Sequence, residues 1–453
     1  MKKRDLYYER IPTKLLREDF RLLGTFLGRV IKDQEGLAFF KIVEKFRVLS
    51  KNTLSDKNKR KVLSRISKEV KKLTPENTFK LSRAFSHILN LLNLVESLDA
   101  SRKLNEYENP YFKNKNQNLF IEDIIEGLFK NKKISDKNIY EQAKKLDIGI
   151  VLTAHPTEVK RRTLIQKYAN LIYIMEQRHL YKKYPSKIIE LDRQLYSEIA
   201  IIWKTDELKR TKPSPLDEAR WGLAVIEDSL WDTIPKVYKR LNDIFRKNLK
   251  KDLPRDFNPI QFGSWMGGDR DGNPNVTAEV TKKVILFSRW QAAKLYEKEL
   301  TKLIQDLSME ECSAKIKKAT GNSFEPYRVY LRPIRDKVRL THQLIENHLN
   351  YNSKLNEKKL IQNKHEITIP LREVRNSLKL NKGDHIANAD LLDLMRRVRC
   401  FGINLARLDI RQEADRHEKL LNEIFKKKSK IKYSNLSEID KIKLLNKSIK
   451  EKK

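Results

Sequence analysis

Apolar residues recur at steps of three and four along most of this chain, the spacing that collects them on one face of an α-helix. Phe20, Leu23, Leu27 and Val30 follow it, as do Phe85, Leu89, Leu92 and Val95. The longest series is Leu223, Ile226, Leu230, Ile234, Val237, Leu241 and Ile244, which predicts a helix of several turns. Another helix is predicted to start near Thr277, with Glu279 in its first turn and Leu286, Trp290, Ala293, Tyr296 and Leu300 behind it. Polar stretches rich in Asn and Lys at 102–119, 249–258 and 350–366 read as loops.

Three segments break this rhythm: IGIVLTA (148–154), IQFGSWM (260–266) and LARLDI (405–410). Each is short, apolar or alternating, and ends at polar residues or a glycine-rich turn, as buried strands do. The predicted fold is mostly α-helical with a few buried parallel strands. A few strands separated by long helical stretches suit the amino-terminal part of a helix-rich β/α (TIM-like) barrel. Three strands cannot close a barrel, so the barrel is expected to be incomplete in this chain. The expected divisions are a helical region at 1–145, a region at 146–425 with the first barrel strands and site motifs, and a lysine-rich tail at 426–453, a truncated end. That tail has weak helical periodicity in Ile439, Ile442, Leu445 and Ile449.

Composition changes this picture little. At 453 residues and 39% hydrophobic content, the chain can build sizeable cores and is not a disordered one. Its 96 Lys and Arg against 60 Asp and Glu give a net charge of +36. Such an excess suggests a nucleic-acid partner. The lysines, however, are spread along the whole chain and interleaved with acids, the pattern of solvated helix faces, so compositional drift is preferred over nucleic-acid binding. Cys312 and Cys400 are far apart and lack metal-ligand spacing, which reads as two reduced thiols. With no signal-peptide pattern and no membrane-length apolar run, a soluble, cytoplasmic protein is expected.

Candidate chemistry gathers where the predicted strands end. In TAHPTE, Pro156 keeps His155 extended at the strand tip and suits the start of a following helix. The amides of that helix, with Arg161 and Arg162, would draw an anion beside His155, a candidate general base or acid. A histidine bonded only to its own turn is the alternative; zinc lacks the paired histidines it needs. In GSWMGGDRDGNP, Gly267, Gly268 and Gly272 permit tight turns that present Asp269, Arg270 and Asp271 above Trp265. The loop lacks a P-loop GKS or GKT. A calcium loop fails as well, because Pro274 replaces its glycine and Val280 its bidentate glutamate. A tight turn with Asp and Arg paired to each other remains open. In LARLDIRQE, Leu405, Arg407, Asp409 and Arg411 would share one strand face, with Arg411 at the end as a fork for phosphate or carboxylate. The alternative is an ion pair of Arg411 with Asp409 or Glu413.

These segments carry a family resemblance. VLTAHPTE with RRT, KTDELKRTKPSPLDEARWGLAVIEDSLWDTIP (204–235), GSWMGGDRDGNPNVT and FGINLARLDIRQE resemble phosphoenolpyruvate carboxylase, in that family's order and spacing. LLREDFRLLGTFLGRVIKDQEG (15–36) is similar to its amino-terminal helix, so the likeness spans about residues 15–420, the amino-terminal half. The resemblance implies formation of oxaloacetate and phosphate from phosphoenolpyruvate and bicarbonate, with magnesium or manganese, in a cytoplasmic homo-oligomer (tetramer). It makes His155 the proton acceptor when carboxyphosphate breaks down and Arg411 the holder of the substrate phosphate. Trp265 and Arg270 become lining of the pocket that shelters carbon dioxide and the enolate.

The family's metal-binding carboxylates, its GRGG loop and its catalytic lysine belong to a second half, and GRGG does not occur in these 453 residues. The metal ligands are therefore expected in a missing carboxy-terminal half, and this chain alone is expected to be inactive. Two other readings are a basic nucleic-acid-binding protein on a retained enzyme scaffold and a remnant without function.

Overall fold

A computed structural model describes residues 14–51, 59–107, 121–131, 133–153, 161–207, 213–254, 256–270 and 273–451. In chain order its first helices are α1 (Lys14–Lys51), α2 (Lys59–Val70), α3 (Pro75–Tyr107), α4 (Ile121–Lys130) and α5 (Asp136–Ala143). Strand β1 (Ile148–Leu152) precedes α6 (Arg162–Leu180), α7 (Pro185–Lys204), α8 (Pro215–Val225) and α9 (Trp231–Leu249). Strand β2 (Ile260–Ser264) precedes α10 (Ala278–Asp306), α11 (Ala314–Thr320), α12 (Pro326–Tyr351), α13 (His365–Leu380), α14 (Asp384–Ala387) and α15 (Asp390–Phe401). After β3 (Arg407–Leu408) come α16 (Ala414–Ser429) and α17 (Glu438–Lys450). The chain divides into two compact units, residues 1–117 with 159–211 and residues 118–158 with 212–453.

The first unit is a bundle of helices with no strand among its described residues. Leu23, Leu27 and Val30 of α1 meet Leu91, Val95 and Leu98 of α3, Leu171 and Met175 of α6, and Leu195, Ile199 and Trp203 of α7. The α1 series is buried as its spacing predicts, apart from a half-buried Phe20. In α3 the buried line runs through Leu81, Ala84, Leu91, Leu94, Val95 and Leu98, so of the predicted series Val95 is buried, Phe85 and Leu92 are half-buried and Leu89 is exposed. That helix is apolar around more than one face, so period alone cannot choose the face that packs.

The second unit is built on a parallel sheet with order β1-β2-β3, β2 in the centre. Ile148 pairs with Ile260 and Leu152 with Ser264, while Gly263 and Ser264 pair with Arg407 and Leu408. Phe262 points from β2 into the main core and stacks on Phe401 at 5.4 Å between ring centres, and Phe401 stacks on Trp231 at 5.3 Å. A π-turn at Ile226–Leu230 separates α8 from α9, which contains Pro235. Proline has no N–H to give the carbonyl four residues earlier. That carbonyl, of Trp231, accepts instead from Arg397 Nε at 2.9 Å, which ties α9 to α15. Thr277 caps α10 through Val280 N, where the sequence places the helix start.

Two expectations change in detail. The third strand is shorter than 405–410, because Leu405 takes the left-handed conformation at φ 54° and turns its side chain into the core. Leu405 therefore does not share a face with the exposed Arg407, Asp409 and Arg411. The lysine-rich tail contains α17 and the end of α16, and Ile439, Ile442 and Ile449 of α17 are exposed.

Candidate active site

The site grows from the carboxyl end of β2. Trp265 N donates to Leu152 O at 3.1 Å, so the chain leaves β2 still bound to the end of β1. It then turns sharply: Gly268 N and Asp269 N both donate to Trp265 O at 2.9 Å. The turn depends on two glycines. Gly267 has φ 79°, and a Cβ there would lie 2.5 Å from Val284. A Cβ on Gly268 would lie 2.2 Å from the Asp409 carbonyl oxygen, so this glycine lets two backbones touch.

That contact joins the second motif to the third. Arg411 N donates to Gly268 O at 3.0 Å and Arg270 N to Arg411 O at 3.1 Å, extending the parallel pairing beyond β3 as a bridge between Asp269 and Arg411. Arg411 Nε donates to Asp269 Oδ1 at 3.1 Å, and its guanidinium lies over the Trp265 ring, 4.7 Å from the ring centre. The carboxylate and the aromatic face together fix the direction of the arginine. Asp269 of the glycine-rich turn is thus a partner of Arg411 among the described residues. Sequence spacing gave no sign of it, because 142 residues separate the two.

Arg270 reaches toward α10. Its Nη2 lies 3.5 Å from Thr281 Oγ1, and Thr281, buried, donates to Gly267 O at 2.8 Å. Thr281 was not singled out from the sequence; its only signal is its place one turn after the capping Thr277. Arg270 Nε is buried and has no hydrogen-bond partner among the described residues. A buried donor without a partner is costly, and an anionic oxygen is the natural group to satisfy it. Trp265, Asp269 and Arg411 are thereby in contact, with Arg270 joined to Arg411 through the backbone, at the strand ends where parallel β/α folds carry their chemistry. A cavity of about 700 Å³ is lined by Phe262, Met266, Val284 and Leu408 among others; Trp265, Asp269, Arg270 and Arg411 are not in its lining.

His155 lies outside the described residues, as do Asp271 and Gly272. The helix expected after Pro156 is described from Arg162, with Arg161 extended as its cap and 3.6 Å from Asp206. Among the described residues no group of three or more His, Cys, Asp or Glu side chains could hold a metal ion. At the strand ends the carboxylate of Asp269 is already engaged by Arg411. The residues described here do not fit a magnesium or manganese site. Cys400 is buried, and burial pushes its thiol up to about 12, which makes it a packing residue and not a nucleophile. No helix among the described residues is long and apolar enough to cross a membrane.

Comparison with known proteins adds the family. The phosphoenolpyruvate carboxylase of Acinetobacter baumannii is 39% identical over 414 residues, covering 90% of this chain and 45% of that protein. That of Haemophilus influenzae (strain 86-028NP) is 36% identical over 432 residues, covering 94% and 48%, and that of Pectobacterium atrosepticum is 36% identical over 442 residues, covering 97% and 49%. The chain spans about half the length of the curated relatives it matches. The family model for phosphoenolpyruvate carboxylase matches residues 16–453, and the chain belongs to the phosphoenolpyruvate carboxylase family.

Proposed function

We propose that these residues supply the phosphate-holding arginine and the pocket wall of a phosphoenolpyruvate carboxylase, which converts phosphoenolpyruvate and bicarbonate to oxaloacetate and phosphate. The observation that carries this reading is the convergence of Arg411, Asp269, Trp265 and Arg270 at the ends of parallel strands. In the reaction a bicarbonate oxygen attacks phosphorus, the enolate of pyruvate leaves, and carboxyphosphate forms. Carboxyphosphate then splits into carbon dioxide and phosphate, and the enolate carbon attacks carbon dioxide.

Arg411 holds the substrate phosphate by its planar fork and offsets charge that builds up during transfer. Trp265 and Arg270 line the pocket in which enolate and carbon dioxide meet away from water. His155 takes the proton released as carboxyphosphate breaks down. The three strands are the first strands of a β/α barrel, and the enzyme works as a cytoplasmic homo-oligomer. The divalent metal and its ligands come from a region that this chain does not contain, so no step is assigned to a metal here. The 453 residues alone are catalytically silent on this reading.

Calorimetric titration with phosphoenolpyruvate tests the assignment of Arg411. Arg411→Lys keeps the charge but loses the fork, so binding is expected to weaken about tenfold or more. Unchanged affinity in the variant removes Arg411 from the site.

A further inference from the structure

At the opposite, amino-terminal end of β2 lies a second cationic feature. The loop that leads into the strand, with α9, α13 and α15, encloses an open cleft of about 560 Å³. Eight arginines and lysines line it against two carboxylates, Asp243 and Asp252. Several of these cations have partners: Arg246 binds Asp252 at 2.7 Å, Lys379 lies 3.2 Å from Asp384, and Arg396 lies 3.0 Å from Asp393. Arg375 is buried and fixed, with Nε on Ala387 O at 3.2 Å and Nη2 on Asn388 Oδ1 at 2.6 Å.

Arg372 and Arg399 differ. Both line the cleft, and neither makes a hydrogen bond or an ion pair among the described residues. Arg372 is exposed and Arg399 half-buried on the last turn of α15. Burial pushes the Arg399 guanidinium below its ordinary value; Asp256 opposes the shift, and the nearby Arg396 and Arg372 add to it. Arginine stays charged even so, which leaves a partly desolvated cation among like charges. Asp256 compensates this charge only in part, so an added anion is favoured there.

We propose that this cleft binds a small phosphate-bearing ligand, held by Arg372 and Arg399, at a site separate from the strand-end residues. The volume falls in the range of small-molecule sites, and the excess of several cations matches a doubly charged phosphoryl group better than a single carboxylate. Planar guanidinium groups accept phosphate oxygens through paired hydrogen bonds. The two sites lie at opposite ends of one strand, so a ligand here would act on the enzyme without occupying the substrate position.

Titration calorimetry of the whole chain with inorganic pyrophosphate is the test, with parallel titrations of Arg372→Gln, Arg399→Gln, Arg411→Gln and a variant lacking the exposed cations Lys426, Lys427 and Lys428. Saturable binding is expected, weakened about tenfold or more by Arg372→Gln and by Arg399→Gln; Arg411→Gln removes at most a second, strand-end site and leaves the cleft site intact, and the triple-lysine variant binds as the wild type does. Arg372 is exposed, so its variant remains informative if Arg399→Gln unfolds. No binding by the wild type overturns the proposal. So does a loss confined to Arg411→Gln, which moves the anion to the strand-end site, or an equal loss in the triple-lysine variant, which reveals diffuse attraction.

Discussion

Strands β1 and β2 are adjacent and parallel, and the sequence reads both as short apolar strands, yet they meet opposite surroundings. In β2, Phe262 is 3% exposed and stacked in the main core. In β1, Ile148, Val151 and Ile150 are 46%, 44% and 40% exposed, and the edge of β1 away from β2 pairs with no strand among the described residues. A strand of this composition suits burial on both faces, as in parallel sheets covered by helices. The difference teaches that β1 is written for neighbours that it does not meet among the described residues. Its open edge and apolar surface are the features that invite association with another strand.

The largest expected effect tests that contrast directly. Phe262→Ala should cost about 3–5 kcal/mol of stability, whereas Ile150→Ala should cost about 1 kcal/mol or less. Equal losses in chemical denaturation would mean that β1 is as well packed as β2. A buried polar group in the helical unit draws the same line between closed and open packing. His87 is buried beside Trp203, with Nδ1 3.0 Å from Glu207 Oε1 but out of hydrogen-bond alignment. Burial first, and then the charge of Arg83, hold its ring at about 4. Its folded-state value lies below the unfolded one, so its contribution is complete above pH 6.5 and declines as pH falls toward about 4. Thermal melts across that range should show a loss of about 2–3 kcal/mol that His87→Phe flattens. An unchanged profile in the variant assigns the acid sensitivity elsewhere.

Smaller effects concern the edges of the sheet. Gly268→Ala forces apart the two backbones that carry Trp265 and Arg411, at an expected cost of about 1–3 kcal/mol and with weaker phosphoenolpyruvate binding. Full retention of binding would separate the turn from the site. Val151→Lys on the exposed strand should change stability by about 0.5 kcal/mol or less while lowering self-association in sedimentation experiments. Unaltered association would acquit β1 as the sticky edge.

Much of this was legible in the sequence, for physical reasons that differ by region. The α1 stripe, the cap at Thr277 and the starts of β1 and β2 follow from local periodicity and punctuation, and the structure has them where expected. The packing face of α3 did not follow, since its apolar residues surround the helix and only its neighbours select one side. The positive φ of Leu405, which shortens β3, is likewise imposed by tertiary packing and not by an alternating pattern. At the site, the residue types and the turn were readable, but the pairing of Arg411 with Asp269 depends on two segments brought together by the sheet. Thr281 and the unpartnered Arg270 Nε became visible only with the fold.

The central claim is that these residues form one part of a carboxylase site and need another part to act. The most direct measurement is bicarbonate-dependent oxaloacetate production by the purified chain with magnesium, before and after adding a separately expressed carboxy-terminal half of a relative. Silence alone followed by turnover on mixing is the expected result, because phosphoryl transfer leans on metal charge that the described residues do not fit. Metal-dependent turnover by the 453 residues alone would contradict the account and place the metal ligands within this chain.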